Sequence, residues 1–132
     1  MSNVDFGVVF RLAQAAAEQA FDAAKPVPMA VQRAEGLSDG FDWSKPYEVV
    51  SEGVCGFAWV NVYVDGRSKS AKVMKQFGAE KDYYGGLQFW SSVVAPSSRS
   101  SQSMQRMEAA CKAFASVLRD YGYRAYASSR LD

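Results

Sequence analysis

Arg67, Lys69, Lys72 and Lys75 fall close together in the chain, with Ser68 and Ser70 between them. This is the densest run of cations in the sequence. Lys69 and Lys72 share one face if the segment is helical. Cations and serines at a helix N-terminus are suited to holding phosphate. Joined by Arg99, Arg106 and Arg130, they would make a surface for nucleic acid, with Tyr83, Tyr84 or Trp90 stacking on bases. The plainer alternative is a solvated basic helix face.

Other chemistry is thinner. Histidine is absent, which removes Ser-His and Cys-His mechanisms and any zinc site that needs imidazole. Cys55 would then need a lysine or carboxylate to activate it, and reads better as a core thiol. Tyr83-Tyr84-Gly85-Gly86 allows a close backbone approach to a ligand, but matches no dinucleotide or P-loop pattern and reads as a turn into a strand. Trp43, Trp59 and Trp90 read as core or partner-binding anchors rather than a cofactor box. A histidine-independent enzyme would have Glu108 or Asp82 as its acid or base. No catalytic residue, metal ligand or cofactor site is assigned on this basis, and no cofactor is expected.

Composition narrows the field further. A chain of 132 residues is one domain on length and can bury a core without staples. A net charge of +1 lacks the strong basic bias of a dedicated nucleic-acid binder. Two cysteines, Cys55 and Cys111, are too few for a disulfide framework and suit a reducing compartment. No apolar stretch is long enough for a membrane span. Asp5 and Arg11 interrupt the first apolar segment, so a signal peptide is not expected.

The elements that must position these residues follow from periodicity. Phe6, Val9, Phe10, Ala13, Ala17, Ala20, Phe21 and Ala24 recur at helical spacing and predict a helix over 3–24, capped by Ser2 or Asn3 and stopped by Pro26. Residues 25–46 form an irregular connection, with a short extended piece at 29–31. The remainder, 47–132, reads as a βαβαβ-like core. It begins with a short β-like run at 47–51, which Gly53 links to the next strand as a hairpin or bulged pair.

Residues 55–64 are the longest apolar run and predict the central strand. Cys55, Phe57, Trp59, Asn61 and Tyr63 alternate with Gly56, Ala58, Val60, Val62 and Val64. Both rows are largely apolar, so cover on both faces is expected. A helix over 68–77 with Ser68 as cap and Gly78 as stop follows, then a strand over 87–94. A helix over 102–121, capped by a serine of the 97–103 run and closed by Gly122, leads to a final strand over 123–127. Residues 128–132 read as a frayed tail. The fold class is α+β: one small domain, a sheet of three to five strands with helices packed on it, in the order α-β-β-α-β-α-β.

The segments Pro26-Val27-Pro28-Met29, Gly53 through Val60, Tyr83-Tyr84-Gly85-Gly86, Gln102-Ser103-Met104 with Arg106 and Glu108, and Ala125-Tyr126 with Ser129 through Asp132 together resemble a group of small uncharacterised proteins encoded by tailed bacteriophages. The likeness covers most of the chain from residue 26 onward. It implies a phage product in the host bacterial cytoplasm or in the virion, and brings no activity or functional residue with it. The expectation is a non-enzymatic protein that binds a host or virion protein. Nucleic acid is the alternative partner, a second copy of the chain is also admissible, and a membrane is not expected.

Overall fold

The computed structural model describes residues 4–25, 29–31, 48–50, 56–82, 85–100 and 103–131. In chain order the elements are helix α1 (Phe6–Ala23), strands β1 (Met29–Val31), β2 (Glu48–Val50) and β3 (Gly56–Val62), helix α2 (Lys69–Gln76), strands β4 (Glu80–Lys81) and β5 (Leu87–Trp90), the short helix α3 (Ser91–Val94), a 3₁₀ turn (Pro96–Ser100), helix α4 (Met104–Asp120) and strand β6 (Ala125–Leu131). The main sheet is antiparallel with strand order β4-β5-β3-β6. The protein is a small single-domain α+β fold.

β3 is the interior strand that the alternation predicts. It pairs along one edge with β5 and along the other with β6. Its even-numbered row (Ala58, Val60, Val62) is at most 1% exposed. These small and β-branched side chains let helices approach the pleated surface closely. α4 lies over β3 and β6, with α1 packed beside α4. Phe89 of β5 sits under both helices, its ring centroid 6.3 Å from Phe6, 5.8 Å from Phe10 and 5.5 Å from Phe114. Phe77, just past α2, joins the same cluster at 5.0 Å from Phe10.

The helix ends follow capping chemistry. The α1 cap is Asp5, whose carboxylate accepts the Gly7 N–H at 2.7 Å; the expected caps, Ser2 and Asn3, lie outside the described residues. Ser68 caps α2 by accepting the Ala71 N–H at 3.1 Å, and Ser103 caps α4 through the Arg106 N–H. Gly78 and Gly122 end α2 and α4 with φ of +103° and +91°, left-handed values that favour glycine.

Four expectations are corrected. First, the strand predicted over 87–94 stops at Trp90. The chain then coils into α3, so that Val94 and Ala95 are fully buried, the Ala95 N–H bonds to Ser91 O and Gln14 of α1 donates to Val93 O. Packing under the helices outweighs the β propensity of Val93 and Val94. Second, residues 128–131 are not a frayed tail: β6 runs to Leu131 and pairs with the whole of β3. Third, β2 pairs with β1 in a separate two-stranded sheet rather than with β3.

The fourth correction is the one that matters for function. β3 is covered on one face only. The odd-numbered row (Phe57, Trp59, Asn61, Tyr63) faces away from the helices, with Phe57 43% and Tyr63 54% exposed. Wide rings with polar handles tolerate that half-wet position, whereas the row of small side chains does not supply enough bulk to be left facing water usefully. The two tryptophans of the main sheet, Trp59 and Trp90, are therefore half-buried on the open face and outside the core.

Adjacent residues of β5 should report this asymmetry. Phe89→Ala, which opens a cavity under both helices, is expected to cost about 3–5 kcal/mol. Trp90→Ala should cost less than half as much. Urea denaturation of the two variants measures the contrast, and equal losses would contradict the one-sided core.

Candidate open-face interface

The open face is built row by row from the strand register. Trp59 lies opposite Trp90 and Ser128; Asn61 lies opposite Gln88 and Tyr126; Phe57 lies opposite Arg130. Glu80 of β4 pairs with Gln88, and Asp82 continues that edge, its N–H donating to Gly86 O. Tyr63 closes the far end, its N–H donating to Arg124 O.

Direct cross-strand neighbours such as Trp59 and Trp90, and diagonal ones such as Tyr63 and Tyr126, approach closely enough to interact, and here they do. The Trp59 and Trp90 rings are 5.5 Å apart, and Tyr63 and Tyr126 are 5.9 Å apart. The Arg130 guanidinium lies over Phe57 at 5.5 Å, and that of Arg119, reaching from the end of α4, lies over Tyr126 at 5.5 Å. Arg119 is held there by donating to Ala125 O at 2.7 Å.

A polar row crosses between the two aromatic pairs. Ser128 Oγ donates to Asn61 Oδ1 at 2.6 Å, and Asn61 Nδ2 donates to Asp82 Oδ2 at 3.3 Å. Trp90 Nε1 donates to Glu80 Oε2 at 3.0 Å. These bonds orient the side chains before any partner arrives. Charges are sorted across the face, with the exposed Glu80 and the largely buried Asp82 carboxylates on the β4 edge and the guanidinium groups of Arg119, Arg124 and Arg130 on the β6 edge.

The basic residues singled out in the sequence do not gather on one surface. Arg67, Lys69 and Lys72 are exposed at the end of the sheet where β3 finishes. Arg99 lies in the 3₁₀ turn, Arg106 in the first turn of α4 with its guanidinium over Phe21, and Arg130 beside Phe57. These three belong to the end where β3 begins. The length of β3 is roughly 23 Å, against a Debye length of about 8 Å at physiological salt. The two groups therefore act as separate weak patches. Of the stacking candidates, Trp90 is on the open face; Tyr83 and Tyr84 lie outside the described residues, as do Cys55 and Trp43.

Arg67 does join a different grouping. A half-open cleft of about 290 Å³ is lined by Asp65, Gly66, Arg67, Lys75, Lys81, Gly85 and Leu87. Three cations, one each from the β3–α2 connection, α2 and β4, line it with one carboxylate. Lys69 and Lys72 are not among its lining residues.

The enzymatic candidates are apart. Asp82 is on the open face and bonded to Asn61. Glu108 is on α4, on the other side of the sheet, with Lys112 Nζ 4.0 Å away. Among the described residues no cluster of three His, Cys, Asp or Glu could hold a metal, and no helix is long and apolar enough to cross a membrane.

Sequence reasoning did not single out Phe57, Tyr63, Arg124, Tyr126 or Ser128 as site residues. The signal was present in the 57/59/61/63 alternation, which an expectation of cover on both faces concealed.

Cys111 is fully buried among apolar side chains. Burial, helped by the nearby Glu108 charge, pushes its thiol up from 9.0 to about 12. A protonated, buried thiol is a poor nucleophile. Its raised value also makes stability depend on pH. Below 9.0 both folded and unfolded chains hold the proton. Between 9.0 and about 12 only the folded chain holds it. Stability is therefore lost as pH rises through that window, by at most about 1.4 kcal/mol per pH unit. Cys111→Ala should show a shallower decline than the parent chain in urea melts between about pH 9 and 11, where the unfolded thiol is ionised and the folded one is not. Parallel declines would contradict the assignment.

No family model, curated protein or solved structure matches the chain.

Proposed function

We propose that this chain is a non-enzymatic binding protein that works through protein–protein contacts made by its open sheet face. The observation that carries the reading is the makeup of that face. Phe57, Trp59, Tyr63, Trp90 and Tyr126 are aromatic, three of them more than two-fifths exposed, and two carry arginine guanidinium groups. Trp, Tyr and Arg dominate the energetic centres of protein interfaces.

Charge separates this reading from nucleic acid. Binding to a phosphate backbone depends on neutralising several phosphates. On the face itself, Glu80 and Asp82 offset two of the three guanidinium groups of Arg119, Arg124 and Arg130, and two of those three lie over aromatic rings. The resemblance to phage-encoded proteins motivates a virion protein or a host protein as the partner. The alternative, a nucleic-acid-binding accessory protein, draws on Arg67, Lys75 and Lys81 around the cleft; its affinity would fall steeply with salt.

The test places a photo-crosslinking residue at Tyr63 or Tyr126, and at the exposed Lys112 of α4, on the other side of the sheet, as a control. The face positions should give a discrete protein adduct, identified by mass spectrometry, whose yield is salt-tolerant. Trp59→Ala should weaken that contact by about 2 kcal/mol, roughly thirtyfold. Equal crosslinking from Lys112, or adducts only with nucleic acid, would overturn the reading.

A further inference from the structure

The face carries information about the shape of what sits on it. An isologous interface requires one patch to match itself: wherever a first residue meets a second, the second must meet the first. The open face has that property about a two-fold axis running along the strands, midway between β3 and β5. Such an axis lays β3 of one copy over β5 of the other, and β4 over β6.

The rows then match in turn. Trp59 meets Trp90 of the other copy. Asn61 meets Gln88, amide against amide. Tyr63, 54% exposed, meets Gly86, where no side chain stands in its way. Gly86 has its own local reason to be glycine, since a Cβ there would lie 2.9 Å from Val62 O. At the margins, the exposed Glu80 carboxylate faces Tyr126 with the Arg119 guanidinium over it, while Asp82, only 8% exposed, lies one row on, in the row of Arg124. The opposite charges are sorted to opposite edges, so the two-fold brings unlike charges together twice. An axis perpendicular to the strands would lay the two acidic edges on each other.

We infer that the occupant of the open face is a second copy of this chain, packed sheet on sheet about a two-fold axis parallel to the strands. This rests on the reading of the face as a protein-contact surface and names its partner. Two sheets packed in this way sit about 10 Å apart, with strands crossing at about 30°. Four strands span roughly 19 Å and the length of β3 roughly 23 Å. That plan is smaller than the roughly 800 Å² per partner of a standard interface. The dimer is therefore at the weak, transient end of protein associations.

Sedimentation velocity over a concentration series tests it. The weight-average mass should rise from 14.5 kDa towards twice that value. Glu80→Lys and Arg119→Glu should each weaken association at least about tenfold, because each puts like charges face to face at both margins. An equimolar mixture of the two variants should recover association, since lysine then meets glutamate on one side and the native pair remains on the other. Loss of the Glu80 bond to Trp90 would not be repaired by mixing, so recovery isolates the contact across the axis. Crosslinks from position 63 should end on the Gly86 segment of a second chain, and this readout stands if either charge variant folds poorly.

A single-chain mass at every concentration overturns the dimer. So does self-association that ignores both variants, or a mixture that fails to recover. A monomer whose Tyr63 and Tyr126 positions still crosslink to another protein overturns only the dimer. A monomer without such adducts overturns the protein-contact reading as well.

Discussion

β3 is hydrogen-bonded along both edges yet packed against helices on one face only, and that imbalance governs the rest of the molecule. The buried row, Ala58, Val60 and Val62, is small enough for α4 to settle on it, and leaves room for the phenylalanines of α1, β5 and α4 to fill the layer between. Bulkier residues on that row would hold α4 off the sheet. The large rings of β3 lie on the other side, where the structure imposes no limit on their size. One strand thus separates a jigsaw layer from a display layer, and its pairing on both edges makes the display surface rigid.

The parts legible in the sequence were those governed by burial. The Val and Ala alternation of residues 56–64 marks β3 because burial selects small apolar residues on every second position. The unbroken helical period from Met104 to Leu118 marks α4 for the same reason. The parts that were not legible are governed by something weaker. Glu80 and Lys81 form a two-residue charged edge strand with no apolar signature. Ser128, Ser129 and Arg130 look like a polar tail because β6 is an edge strand with an open face, so its outward residues are free to be polar. Val93 and Val94 carry strong strand propensity, yet a helical turn buries Val94 completely. The same weakness hid the site. An apolar residue at 57, 59 or 63 has the same identity whether a helix or water lies over it.

Cations teach a related lesson. In the sequence, Arg67, Lys69 and Lys72 look like one end of a basic surface that Arg99, Arg106 and Arg130 complete. The fold sends the two groups to opposite ends of β3, beyond the range at which screened charges reinforce one another. Arg106 and Arg130 are instead drawn to aromatic rings, where a guanidinium stacks and keeps its charge partly hydrated. A basic residue counted from composition is thus not available in full to a phosphate backbone.

An open face of aromatic rings would bind indiscriminately if nothing directed it. Two features of this face restrict it. The Ser128–Asn61–Asp82 row crosses its middle with its hydrogen bonds already made, so a partner must either leave that row intact or offer polar groups in register with it. The sorting of charge adds orientation. With carboxylates on both edges, a partner could dock either way round; with carboxylates on β4 and guanidinium groups on β6, reversing it places like charges together at both margins, which costs several kcal/mol. Aromatic area supplies attraction that is blind to direction, and the edges supply the direction. The need for both explains why the outermost strands of this sheet, the ones least constrained by the core, carry the charges.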